Sequence, residues 1–163
     1  MKDNSKKIDV RRACTEDAQG LLKLLEYILN LHFSGRPDIF KNVGSKYGMP
    51  ELKTILSDEK TPVFAAVDEK ENVVGYAFCI EKEIPESTVL QRRKVLYVDD
   101  LCVDESCRGL GVGGKLMEAV KEHAQYVGAT SIELNVWGFN HSAISFYEHL
   151  GFKVQKSTME IIL

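Results

Sequence analysis

The chain has 163 residues, 44% of them apolar, which is enough for one domain with a packed core and short for two. With 21 Lys plus Arg against 24 Asp plus Glu, a net charge of -3 and no basic block, nucleic acid is excluded as a main partner, because neutralising phosphates takes clustered cations. The start, MKDNSKKIDV, lacks an apolar leader, and no later run reaches the roughly 18 apolar residues of a membrane span.

A cytoplasmic protein with no membrane partner is therefore expected: one domain over residues 1–163, with residues 1–6 as a flexible tail. Mild acidity would suit a cationic small molecule or peptide. Cys14, Cys79, Cys102 and Cys107 lack paired spacing. Free thiols and no metal site are expected from that pattern.

Residues 8–12 read as a first strand. Thr15 is expected to cap a helix, with Glu16 and Asp17 in its positive first turn. The stripe Ala18, Leu21, Leu22, Leu25, Ile28 and Leu29 carries that helix to about Leu31. A loop broken by Gly35 and Pro37 follows, then a short helix after Pro50. Residues 63–67 and 73–80 are β-favouring runs around a polar turn at 68–72, which predicts an antiparallel hairpin. Residues 94–103 are apolar at both parities except at Asp99 and Asp100, as in a strand covered on both faces.

Leu116, Met117, Val120, Ala124 and Val127 predict a helix that Gly128 closes. Residues 131–136 form the next strand, and the strand-helix-strand order implies a parallel pair with a right-handed crossover. A helix at 141–150 and two short strands, 152–155 and 159–163, finish the chain. The expected fold is α/β (α+β): a mixed sheet whose antiparallel N-terminal half joins a parallel βαβ half, with helices on both faces.

Between the third run and its helix, Arg108-Gly-Leu-Gly-Val-Gly-Gly-Lys115 sets four glycines within six positions. A turn needs only one. Glycines there let backbone approach a ligand, and the helix N-terminus offers unpaired N–H donors and partial positive charge, so an anion is the natural guest. The stretch half-matches a nucleotide P-loop, but Leu116 stands where Ser or Thr must ligate Mg²⁺. Gly109, Gly111 and Gly114 also fit the dinucleotide fingerprint, with Glu133 about 20 residues on. Against it, residues 104–108 separate the glycines from the strand, and the 60 residues after Val103 are too few for repeated parallel units.

The run Arg108-Gly-Leu-Gly-Val-Gly113 resembles the acetyl-coenzyme A (acetyl-CoA) loop of the GNAT superfamily of N-acetyltransferases, Arg/Gln-x-x-Gly-x-Gly/Ala. Asn140-His-Ser-Ala-Ile-Ser-Phe-Tyr-Glu-His-Leu-Gly-Phe152 resembles its second signature, Asn-x-x-Ala-x-x-x-Tyr-x-x-x-Gly-Phe. The element order from Ile8 to Leu163 is similar too. The resemblance implies that Arg108 and the amides of Gly109, Leu110, Gly111, Val112, Gly113 and Gly114 hold the pyrophosphate of acetyl-CoA. It implies that Leu101, Cys102 and Val103 pair with the pantetheine arm, that the strands splay near Val103 and Val136, and that Asn140 touches the coenzyme, a role compatible with capping the helix that follows.

Tyr147 falls where many members place the general acid; by spacing alone it joins Ala143, Phe146 and Leu150 in an ordinary core stripe. A phenol of pKa about 10 can protonate a departing thiolate, and an acceptor amine of pKa about 10.4 needs a base. Members that acetylate protein N-termini often carry Glu where this chain has Asn135. Polyamine acetyltransferases place their base at the position matching Asp99, which strand parity sets with Tyr97, Leu101 and Val103. Asp99 is thus the expected base, directly or through water, and Asp100 is expected on the opposite face; that both only satisfy loop N–H groups stays open. Phe33, Phe40 and Tyr47 would wall the acceptor site. The implied reaction is direct acetyl transfer to a primary amine of a small molecule, polyamine-like or other. A peptide or protein amine as acceptor, or a non-catalytic acetyl-CoA sensor, are the alternatives, and a homodimer stays open.

Overall fold

Period-two burial makes the sheet. In β2 (Val63–Val67), Val63, Ala65 and Val67 face one helical layer while Phe64 and Ala66 face the other, so every residue of the strand is buried. The computed structural model describes residues 7–163, and the expected tail at residues 1–6 lies outside the described residues. Its strands are β1 (Asp9–Arg12), β2, β3 (Val73–Ile84), β4 (Arg93–Val103) and β5 (Ser131–Leu134). They lie side by side in that order, antiparallel except for the parallel β4–β5 pair.

Helices cover both faces. On one, Leu21, Leu24 and Leu25 of α1 (Ala18–Gly35) and Leu52 of α2 (Met49–Ser57) pack on Val63, Ala65, Tyr76 and Phe78. On the other, Val112, Leu116, Met117 and Val120 of α3 (Val112–Tyr126) meet Ala66, Ala77, Cys79 and Leu96. Phe146 and Leu150, from α4 (His141–His149) and its cap, join that second cluster. Each fully buried Leu contributes about 1.5–3 kcal/mol.

Several boundaries differ from expectation for physical reasons. Residues Thr15–Asp17 form a 3-10 turn that leads into α1, and Thr15 is not its cap. Cys14 holds the cap position, and its N–H donates to the carboxylate of Asp17 at 2.8 Å. Asp17 is buried and also accepts two hydrogen bonds from the Arg11 guanidinium, at 2.8 and 3.0 Å. Helix α1 runs on to Gly35, where the Phe139 ring lies so close that only glycine fits.

The two C-terminal strands expected at 152–155 and 159–163 are absent; residues 152–163 carry no strand. Their apolar residues Val154, Met159, Ile161 and Ile162 are exposed. A strand exists only where another edge pairs with it, and the segment is tied down by side chains instead: Gln155 donates to Glu133 at 3.1 Å, and Arg36 pairs with Glu160.

Candidate active site

The glycine segment is shaped by its own backbone. Asp104 caps the short turn Glu105–Cys107, accepting from the Ser106 N–H at 2.9 Å, and the chain then passes Arg108 into Gly109 and Gly111, both at φ +75°. That left-handed conformation strains any L side chain. A Cβ on Gly109, Gly111 or Gly114 would meet nothing within 4 Å. These three glycines therefore border open space. Gly113 differs: its added Cβ would touch the Phe146 ring at 3.0 Å, so it serves the packing of α4 on α3.

At the start of α3 the N–H of Lys115 bonds back to the Gly111 carbonyl at 3.1 Å, leaving the amides of Val112, Gly113 and Gly114 as the open donors of the helix end. Leu110 is exposed and Val112 is buried in the core, so only their backbones can serve a ligand. Arg108 extends over α1, where it donates to the Tyr27 hydroxyl at 2.7 Å. A guanidinium, free helix amides and uncrowded glycines fit the pyrophosphate of acetyl-CoA.

Strands β4 and β5 part company next to this loop. Their pairing runs from Val95 opposite Ser131 to Val98 opposite Leu134 and stops, while β4 continues to Val103 on β3 alone. The opening thus begins some residues before the expected Val103 and Val136, and it bares the edge of β4 from Asp99 to Val103. Leu101 and Val103 pack on the α3 side. Cys102 turns its thiol to the α1 side, where burial pushes it up to about 12, so it is no nucleophile. Cys107 is buried as well.

A β-bulge lies at the opening. Val98 faces Cys79 and Asp100 faces Phe78, so Asp99 is an extra residue in β4. The bulge corrects the expected parity. Asp99 accepts from Lys46 Nζ at 2.6 Å and from the Tyr47 hydroxyl at 3.2 Å; Asp100 accepts from the Tyr76 hydroxyl at 3.2 Å. Both tyrosines belong to the α1–α2 side, whereas Leu101 and Val103 belong to the α3 side. The two carboxylates therefore share a side, and Asp99 does not share one with Leu101 and Val103.

Their environments separate them electrostatically. Burial raises Asp100 to about 6, aided by the charge of Asp99 and opposed by Lys46 and Tyr76. Burial also works against the Lys46 ammonium, but its hydrogen bond to Asp99 and that residue's charge outweigh this and hold it up at about 12. Tyr147, on α4, packs against the rings of Phe146 and Phe152 at 5.3 and 5.6 Å. Burial raises its pKa, as does the negative charge of Asp100, so the phenol stays protonated. Asn140 caps α4, its Oδ1 accepting from the Ala143 N–H at 3.1 Å.

Residues 36–48, between α1 and α2, supply Lys46 and Tyr47 as well as Phe40. Phe40 stacks on His32 at 5.1 Å and meets Trp137 edge-on at 5.1 Å, which in turn lies against Phe139 at 6.3 Å. Of the three expected wall residues, Phe40 and Tyr47 lie in this segment and Phe33 lies on α1. Lys46, Tyr76 and Phe139 carry no local sequence signal of a site, whereas Trp137, the chain's one Trp, stands three positions before Asn140. Asn135 donates to the Tyr97 hydroxyl at 3.0 Å. Glu133, the ribose-binding candidate of a dinucleotide reading, is held by Arg93 and Gln155. Among the described residues no group of three His, Cys, Asp or Glu side chains could hold a metal, and no helix is long and apolar enough to cross a membrane.

Comparison with known proteins bears on the family and the fold. A tetramutant of the BH1408 protein from Bacillus halodurans is 33% identical, with TM-score 0.91 over 95% of this chain and 99% of that one. The uncharacterized N-acetyltransferase YhfO of Bacillus subtilis is 24% identical over 147 residues, 90% of each chain. The aminoglycoside N-acetyltransferase AAC(6')-Iy in complex with CoA shares the fold at TM-score 0.76 and 16% identity, over 100% of this chain and 99% of that one. The model of the acetyltransferase (GNAT) family matches residues 25–152, through both the glycine loop and the Asn140 to Phe152 signature. The chain belongs to that family and is an acyltransferase whose acetyl donor is acetyl-CoA.

Proposed function

We propose that this acyltransferase acetylates a primary amine of a small molecule, binding acetyl-CoA and the amine together so that the amine attacks the thioester directly. The observation that carries the reading is the Asp99 carboxylate, which sits where β4 parts from β5 and holds an ammonium, that of Lys46, at 2.6 Å. An acceptor ammonium in that place has a base within reach. The open edge of Leu101, Cys102 and Val103 would pair with the pantetheine arm, Arg108 and the amides from Gly109 to Gly114 would hold the pyrophosphate, and Asn140 would touch the coenzyme beside the opening.

In this account Asp99 takes the amine proton, directly or through a water, and Tyr147 gives its proton to the departing thiolate. Shared positioning supplies much of the rate. A small-molecule acceptor is supported by the aminoglycoside acetyltransferases among the structural neighbours and by Asn135, which stands where enzymes of protein N-termini often carry Glu. One feature favours a second base: burial pushes the Asp100 carboxyl up to about 6, near the operating pH of a general base.

Thiol release from acetyl-CoA with a panel of polyamines, aminoglycosides, amino acids and peptides tests the reading. At least one small amine should turn over, and Asp99→Asn should lower its kcat by about 10²–10⁴. A panel in which only peptides react would reject the small-molecule acceptor. Full activity in Asp99→Asn with a collapse in Asp100→Asn would move the base by one residue.

A further inference from the structure

We propose that the enzyme acetylates itself at Lys46, whose Nζ takes the place of an acceptor amine at the mouth of the opening between β4 and β5. The inference rests on the functional reading above and adds to it a modification site on this chain.

Lys46 differs from Lys60, Lys94, Lys115 and Lys121 in what it reaches. Lys60 and Lys94 pair with Glu81, Lys121 with Glu118, and Lys115 donates to the Ile8 carbonyl at 2.9 Å, all away from the bared edge of β4. Lys46 Nζ meets the bulged Asp99 at 2.6 Å, the residue at which β4 has just left β5. Its side chain is 41% exposed and that of Asp99 24%, so the pair is reached by solvent. A half-exposed ion pair of this kind is a weak tether, and the amine can leave the carboxylate and return. The Asp100 charge is felt both by Lys46 on the 36–48 segment and by Tyr147 on α4.

The step balances with acetyl-CoA as the only co-reactant. The ammonium of Lys46 gives a proton to the Asp99 carboxylate, and the neutral Nζ attacks the acetyl carbonyl. A C–N bond forms, the C–S bond breaks, and the thiolate leaves with a proton from the Tyr147 hydroxyl. The nitrogen's second proton restores the Tyr147 hydroxyl, and Asp99 gives its proton to solvent. Nothing is oxidised or reduced. The product amide carries no charge, so acetylated Lys46 no longer neutralises Asp99, and the carboxylate is left open to a free amine.

The test incubates the purified full chain with trideuterioacetyl-CoA and no added amine, then maps the isotopic label by peptide mass spectrometry. Lys46 should be labelled about tenfold or more faster than the exposed Lys41 and Lys53, because the amine is held beside its base. The rate per molecule should not change on dilution. Asp99→Asn should remove this advantage while acetyl-CoA still raises the melting temperature, and Lys46→Arg should lower total label to the background of the other lysines. Labelling of Lys46 no faster than Lys41 and Lys53, in a protein that binds acetyl-CoA and turns over a small amine, would overturn this proposal alone. A labelling rate that falls with dilution would also overturn it, by assigning transfer to encounters between molecules. A protein whose melting temperature acetyl-CoA does not raise would overturn it together with the functional reading.

Discussion

Gly114→Ala separates folding from donor binding. Gly114 is the third residue of α3, has no positive φ, and an added Cβ meets nothing within 4 Å. Replacing a helical glycine by alanine gains about 0.5–1 kcal/mol from backbone entropy alone. For a chain of this size that raises Tm by roughly 2–4 °C at the upper end of the gain. If the free amides of α3 hold the pyrophosphate, the methyl group enters the ligand's space, and KM for acetyl-CoA should rise about tenfold or more, about 1.4 kcal/mol. The neighbours act as internal controls. Gly111→Ala must place alanine at φ +75°, a cost of about 1–2 kcal/mol, and Gly113→Ala must shift the Phe146 ring. Thermal melts and initial rates over a range of acetyl-CoA concentrations read both effects. A stabilised Gly114→Ala enzyme with unchanged KM for acetyl-CoA would refute the assignment of the loop.

Three further outcomes follow from burial and charge. Leu116→Ala, at a position with no exposed surface between α3 and the sheet, should cost about 2–5 kcal/mol in urea unfolding. Asp17→Asn should cost about 1–3 kcal/mol at neutral pH, because it takes the charged acceptor from the Arg11 and Cys14 N–H bonds while the partly exposed Arg11 keeps Glu71. Burial pushes the Asp17 carboxyl up, but the bonds from Arg11 and from the Cys14 N–H outweigh this and hold it below the ordinary range. Its contribution is thus present above the ordinary carboxylate pKa and is lost as pH falls through the lowered value, which the pH dependence of urea midpoints checks. Asp100 has the opposite sign. Raised to about 6, it binds its proton more tightly in the folded state, so it lowers stability as pH rises from about 4 to about 6. Asp100→Asn should therefore gain stability relative to the parent at about pH 7.5, about half as much at about pH 5, and show little difference below about pH 4.

What the sequence revealed was local. The glycine loop, the apolar helix stripes and the parallel strand-helix-strand unit depend on neighbours a few positions apart, and the structure has all three. The parity of Asp99 and Asp100 does not. It is set by a bulge against Phe78 and Cys79 on β3, so counting by twos along β4 assigns the wrong faces. The ion pair of Lys46 with Asp99 spans 53 positions and has no local trace. Residues 159–163 are β-favouring and apolar except at Glu160, yet composition supplies no partner edge, and the segment stays unpaired among the described residues. Thr15 is a good cap by type, but the buried bond from Arg11 to Asp17 draws the turn so that Cys14 holds that position.

The central claim, that a protonated Tyr147 completes direct acetyl transfer, is tested most directly by Tyr147→Phe. The measurement is kcat and KM for acetyl-CoA on an amine that the parent acetylates, between about pH 6 and pH 9. Loss of the proton donor should lower kcat by about 10²–10⁴ and leave KM for acetyl-CoA nearly unchanged, since the ring packing with Phe146 and Phe152 persists. Full activity of Tyr147→Phe across that range would contradict the account and remove the hydroxyl from the mechanism.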